Sequence, residues 1–149
     1  MEKKTIAVDF DGTIVTNAYP DIGKPLLFAF DTLKKIQSEG HTLILWTYRS
    51  GQKLEEAVAF CKKNGITFYA VNKSYPEEEI SSNISRKINA DVFIDDRNIG
   101  GMMGWGEIYH FLTIKNDPSI KSKLKKQKNK KGFLSRMEDI FKDQNDTDA

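Results

Sequence analysis

Four short apolar runs punctuate the first hundred residues, each followed by polar chemistry. Thr5–Val8 is wholly apolar after its first residue, the pattern of a strand buried on both faces of a parallel sheet. Thr42–Trp46, Thr67–Val71 and Asp91–Ile94 read as three further strands. Between them the period changes. Leu26, Leu27, Phe30, Leu33 and Ile36 recur at helical spacing, which predicts a helix over Leu26–Glu39 stopped by Gly40. A second helix is expected over Leu54–Asn64, stopped by Gly65, and a last one over Glu107–Ile114 with Ile108, Phe111 and Leu112. Residues 14–25, with Tyr19-Pro20, Gly23 and Pro25, read as a loop or flap. Residues 72–83 read as irregular or partly helical, with a short helical stretch at Ile84–Ile88. Strands alternating with helices imply an α/β fold: a Rossmann-like parallel sheet, helices on both faces, right-handed crossovers.

In such sheets ligands bind beyond the carboxyl ends of the strands. Here those ends are rich in chemistry. The first strand runs into Asp9-Phe10-Asp11-Gly12-Thr13, the second into Thr47-Tyr48-Arg49, the fourth into Asp95-Asp96-Arg97. Two carboxylates one residue apart at the end of a buried strand repel, and each is costly to desolvate. A bound cation resolves the conflict, and carboxylate oxygens suit Mg²⁺. Gly12 permits a sharp turn or a close approach to a ligand, and Thr13 suits a cap. A surface Asp-x-Asp-Gly turn is the plain alternative for the first stretch alone. Three stretches converging on one rim favour a site.

Composition narrows the class. The chain has 149 residues, enough for one domain with a real core. No apolar run approaches the ~18–20 residues of a membrane span. Met1-Glu2-Lys3-Lys4 leads straight towards the first strand, so no signal peptide is expected, and a reducing cytoplasm fits the single cysteine. Cys61 falls among Leu54, Ala57 and Val58 at helical spacing and reads as buried filler. The net charge of +2 is unevenly spread. Residues 1–114 carry −2, residues 115–131 carry +7 from eight lysines against Asp117, and residues 132–149 carry −3. A catalytic domain over 1–114 and a lysine-rich extension over 115–149 are therefore expected. The extension reads first as a solvated tail, with a short amphipathic patch at Phe133–Phe141. Nucleic-acid or anionic-surface contact is the lesser reading, because no aromatics interleave the lysines.

The motifs in order resemble those of the haloacid dehalogenase-like (HAD) hydrolase superfamily. Asp9–Thr13 matches its Asp-x-Asp-Gly-Thr motif. Leu43–Thr47 matches its apolar strand ending in Thr or Ser, and Val92–Asp96 its apolar strand ending in paired acids. Lys87, beside Arg86, is the best match for its basic residue. The resemblance covers roughly residues 4–114. It implies a three-layer α/β/α sheet domain and a Mg²⁺-dependent phosphatase acting through an aspartyl-phosphate. Asp9 would be the nucleophile and Asp11 the general acid and base. Thr47 would bond a phosphoryl oxygen, and Lys87 would balance charge. The Asp9 side chain, the Asp11 backbone carbonyl and Asp95 or Asp96 would hold the metal. Gly12, Thr13, Tyr48 and Arg49 are the candidate substrate contacts.

An aspartate at position 11 fits phosphatases and phosphomutases. A phosphomutase must keep its intermediate dry, which calls for a closing cap. The ~33 residues from Thr13 to Thr47 and the ~39 from there to Lys87 hold no extra domain, so the chain resembles capless members. Those act on bulky substrates, or on small ones once oligomerisation covers the site. Nucleotidase and polynucleotide-end phosphatase are alternatives, as is a non-catalytic phosphoryl-binding module. Intact Asp9, Asp11, Thr47 and Lys87 argue against the last. Arg97 reads as an ion-pair partner of the paired acids. Tyr19, Lys24 and Lys73 are weaker candidates, and His41 and His110 read as structural.

Overall fold

The computed structural model describes residues 2–79 and 81–114. The lysine-rich stretch and the Phe133–Phe141 patch lie outside the described residues. The chain divides into two compact units, Met1–Phe111 and Leu112–Ala149. The first holds an α/β Rossmann-like fold. Its elements are β1 (Thr5–Val8), α1 (Ala29–Ser38), β2 (Thr42–Leu45), α2 (Gly51–Lys63), β3 (Ala70–Val71), β4 (Val92–Ile94) and α3 (Trp105–Ile114), whose last residues pass into the second unit. All strand pairs are parallel, in the order β3-β2-β1-β4. Among the described residues no helix is long and apolar enough to cross a membrane.

β1 is central because it is apolar on both faces. Ile6, Ala7 and Val8 are fully buried, as are Leu43, Ile44 and Leu45 beside them. Register pairs Ala7 with Ile44 and Phe93, and Ile44 with Ala70, so these four share one face. That face forms a cluster with Ile88, Trp46 and Ala90, supplied by the connections rather than by a helix. Right-handed crossovers from β1 to β2 and from β2 to β3 place α1 and α2 together on the other face. Phe60 of α2 joins them there, with ring centroids 6.0 Å from Phe30 of α1 and 6.3 Å from Phe10. Cys61 is buried filler as expected, its thiol pushed up to about 12 by desolvation. His41 is structural: it is buried, and its Nδ1 accepts the Lys4 N–H at 3.0 Å.

Several elements differ from the sequence reading: β3 is only Ala70–Val71 rather than Thr67–Val71, and α3 begins at Trp105 rather than Glu107. α1 begins at Ala29, not Leu26, because the Leu26 N–H donates to the Ile14 carbonyl and Phe28 takes a left-handed φ of 63°. α2 begins earlier, at Gly51. Ile84–Ile88 is not helical. There the Ser85 hydroxyl accepts the Lys87 N–H, and the Ser74 hydroxyl accepts the Asn89 N–H. The local Ser85 bond gives the backbone an alternative to the helix.

The centre of the sheet sets stability. Ile44→Ala, at a fully buried position, should cost about 2–5 kcal/mol in urea titrations. Leu27→Ala, at 76% exposure, should stay within about 0.5 kcal/mol.

Candidate active site

β1 and β4 are neighbours, with Val8 registered on Ile94, so the residues that follow each strand must meet. The Asp9 N–H donates to the Ile94 carbonyl at 3.0 Å, holding the two strand ends together. Oxygens of Asp9, Asp95 and Asp96 consequently lie within 4.8 Å of one another, a cluster that could hold a metal ion. The Asp96 Oδ1 is buried and accepts no hydrogen bond among the described residues. An unpartnered buried carboxylate oxygen beside two more carboxylates fits a hard cation. The Asp9 carboxyl is pushed up to about 6, first by burial and then by the charges of Asp95 and Asp96. Bonds from the Phe10 backbone and the Thr13 hydroxyl oppose the shift.

Thr13 frames the cluster. Its fully buried hydroxyl donates to Asp9 Oδ2 at 3.1 Å and accepts the Asp96 N–H at 3.1 Å. Its carbonyl accepts the Trp105 indole N–H at 2.9 Å, which anchors the turn to α3. Gly12 has φ +85°, and a Cβ there would lie 2.3 Å from Asp96 Oδ2. Any side chain at position 12 would push the acid out of the cluster.

Asp11 points elsewhere. Its two oxygens accept a fork from Arg49, Nε to Oδ2 and Nη2 to Oδ1, each at 2.7 Å. Arg49 is 1% exposed and also donates to the Pro20 carbonyl at 3.1 Å and the Asp21 carbonyl at 2.6 Å. Its Cζ lies 5.1 Å from the Phe10 ring centroid and 5.3 Å from that of Tyr19. The Asp11 bonds raise the Arg49 pKa further above its usual value, so it is a permanent cation.

Asp9, Asp11 and Asp95 open onto a cleft of about 930 Å³ with Thr47, Tyr48 and Arg49 on its wall. The Thr47 hydroxyl accepts the Arg49 N–H at 3.2 Å, and the Thr47 N–H donates to Asn72 Oδ1 at 2.8 Å. Tyr48 is 91% exposed. Lys87 is exposed and does not line the cleft; its Nζ sits 5.9 Å from the Phe93 ring centroid. Arg86, its neighbour, does line the cleft, as does Arg97. Arg97 makes no ion pair among the described residues; its N–H donates to Asp95 Oδ1 at 2.8 Å.

The sequence reading missed Asn72, Glu78, Trp46 and Trp105. Asn72 has φ 52°, and a left-handed asparagine after an apolar strand is a signal that only the backbone reveals. Trp105 is buried, and its indole N–H donates to the Thr13 carbonyl.

No family model matches the chain, and no curated protein does. A solved structure, described as that of a conserved protein from Bacteroides thetaiotaomicron, is 52% identical, with a TM-score of 0.73. The match covers 78% of this chain and 94% of that one. The chain belongs to the same family as that conserved protein.

Two outcomes follow from this geometry. Thr13→Val keeps the shape but strands the Asp96 N–H, so it should cost about 1–3 kcal/mol in chemical denaturation. In metal-free protein the raised Asp9 pKa makes the folded state hold its proton more tightly than the unfolded chain does. That contribution is full below about pH 4 and is lost as pH rises through about 6. Asp9→Asn should therefore melt higher than wild type at pH 8 without metal, with the gap closing towards pH 4.

Proposed function

We propose that the chain is a Mg²⁺-dependent phosphomonoesterase of the capless HAD-like type. The observation that carries this reading is the Asp9–Asp95–Asp96 cluster on the carboxyl edge of a parallel sheet, beside a cleft that also takes in Asp11 and Thr47. A bare nucleotide-binding fold has no need of three carboxylates within 4.8 Å. The ordered motifs of the sequence supply the rest of the support.

Asp9 is the nucleophile in this reading. Its oxygen bonds to phosphorus as the bond to the leaving oxygen breaks, and the leaving oxygen takes a proton delivered by Asp11. Asp11 then accepts a proton from water, whose oxygen attacks the aspartyl-phosphate and restores Asp9. Thr47 donates its hydroxyl to a phosphoryl oxygen, and the 86–87 segment brings a cation to the cleft through Arg86. Asp9, Asp96 or Asp95 and the Asp11 carbonyl would hold Mg²⁺. The ion would offset the like charges of the carboxylates and phosphate during transfer.

Asp9→Asn should abolish turnover of a phosphomonoester, well beyond a thousandfold, while the protein stays folded. Chelation should stop the wild type, and added Mg²⁺ should restore it. Mg²⁺ should raise the melting temperature of the wild type at pH 8 and leave that of Asp9→Asn nearly unmoved. A screen over nucleotides, sugar phosphates and phosphopeptides would name the substrate. Residual activity within about tenfold in Asp9→Asn would refute the covalent route.

A further inference from the structure

The sequence leaves open whether Arg49 touches the substrate, and its bonds answer that question. A guanidinium has five N–H donors. Four directions are taken: Nε to Asp11 Oδ2, Nη2 to Asp11 Oδ1 and to the Asp21 carbonyl, and Nη1 to the Pro20 carbonyl. Phe10 and Tyr19 lie within about 5 Å of its planar centre, and almost none of it reaches solvent. It has no free fork with which to clamp a phosphate.

Its partners belong to two different parts of the molecule. Asp11 lies in the turn after β1. Pro20 and Asp21 lie at the tip of the 14–25 flap. The base of that flap is closed by the Thr16 N–H to the Lys24 carbonyl at 2.8 Å and by the Lys24 N–H to the Thr16 hydroxyl at 3.0 Å. A carboxylate offers about four lone-pair directions, and the Arg49 fork occupies one on each oxygen. The direction of the remaining pairs is thereby fixed.

We propose that Arg49 is a positioning residue that fastens the flap tip to the Asp11 carboxylate, so that the flap and the acid–base group hold one geometry. The proposal rests on the phosphatase reading for its kinetic consequence and on the bonds alone for its structural one. Loss of the fork frees Asp11 to rotate and the flap to open, while Asp9, Asp95 and Asp96 stay where the strands put them.

The test uses Arg49→Lys, which keeps the charge but cannot fork, and Arg49→Gln, in the full chain. Two esters are compared by kcat/KM with Mg²⁺: p-nitrophenyl phosphate, whose leaving group departs without help, and glycerol phosphate, whose alkoxide needs a proton. General acid catalysis is worth about 10²–10⁴-fold, so the glycerol phosphate loss should exceed the other by at least about tenfold. In an Asp11→Asn background, Arg49→Lys should cost little more, because the two act as one unit. Amide hydrogen exchange over residues 16–24 should quicken in both variants, with exchange in β2 unchanged.

Equal losses on the two esters, or unchanged flap exchange in folded Arg49→Lys, would overturn the proposal and leave the phosphatase reading standing. A wild type inert on every ester would overturn the phosphatase reading instead. The exchange data would still decide whether Arg49 holds the flap. If Arg49→Gln fails to fold, Arg49→Lys carries the comparison.

Discussion

Like charge gathered at one strand end is the constraint on which this molecule turns. Two neighbouring strands, central β1 and edge β4, run parallel in register and both finish in acids. Four carboxylates thus share one edge of the sheet. Like charges this close cost free energy unless a counter-charge offsets them. Asp11 finds Arg49. Asp9, Asp95 and Asp96 form no ion pair among the described residues, and the Asp9 carboxyl rises to about 6. The strain is local and electrostatic, and a divalent ion would remove it.

The surrounding structure keeps that arrangement from relaxing. Thr13 ties Asp9 to the Asp96 backbone with a single hydroxyl, and Trp105 pins the Thr13 carbonyl from α3. Gly12 leaves room that any side chain would fill. Buried polar groups are costly unless satisfied, so these bonds make alternative placements of the turn expensive. Arg49 extends the same logic outward. A buried guanidinium must be nearly saturated, and its remaining donors reach the flap. Breaking such a pair by removing one partner costs far more than the pair itself contributes, because the survivor is left charged and buried.

Both faces of the sheet are packed, and one of them also supplies the cleft. The face of Ala7, Ile44 and Ala70 is closed by the β3–β4 connection, and that same connection brings Ile84, Ser85 and Arg86 to the cleft. The opposite face carries the packing of α1 and α2 through Phe60. One irregular segment therefore serves both core and cleft, with serine hydroxyls in place of helical bonds.

The sequence by itself determined the strands, their parallel sense and the rim where chemistry collects. Wholly apolar runs such as Ile6–Val8 can only be buried, and acids placed just after them can only fall at the strand ends. Asp9, Asp95 and Asp96 were legible for that reason. What only the tertiary structure decided was which charge meets which. Spacing cannot tell that Arg49 folds back on Asp11 across 38 residues, nor that Arg86 rather than Lys87 lines the cleft. Nor could it place Trp105 under Thr13, 92 residues away. Periodicity reports which face a residue takes within its own element. Long-range polar partners are chosen by how the elements stack, and by the cost of leaving any buried donor or acceptor alone.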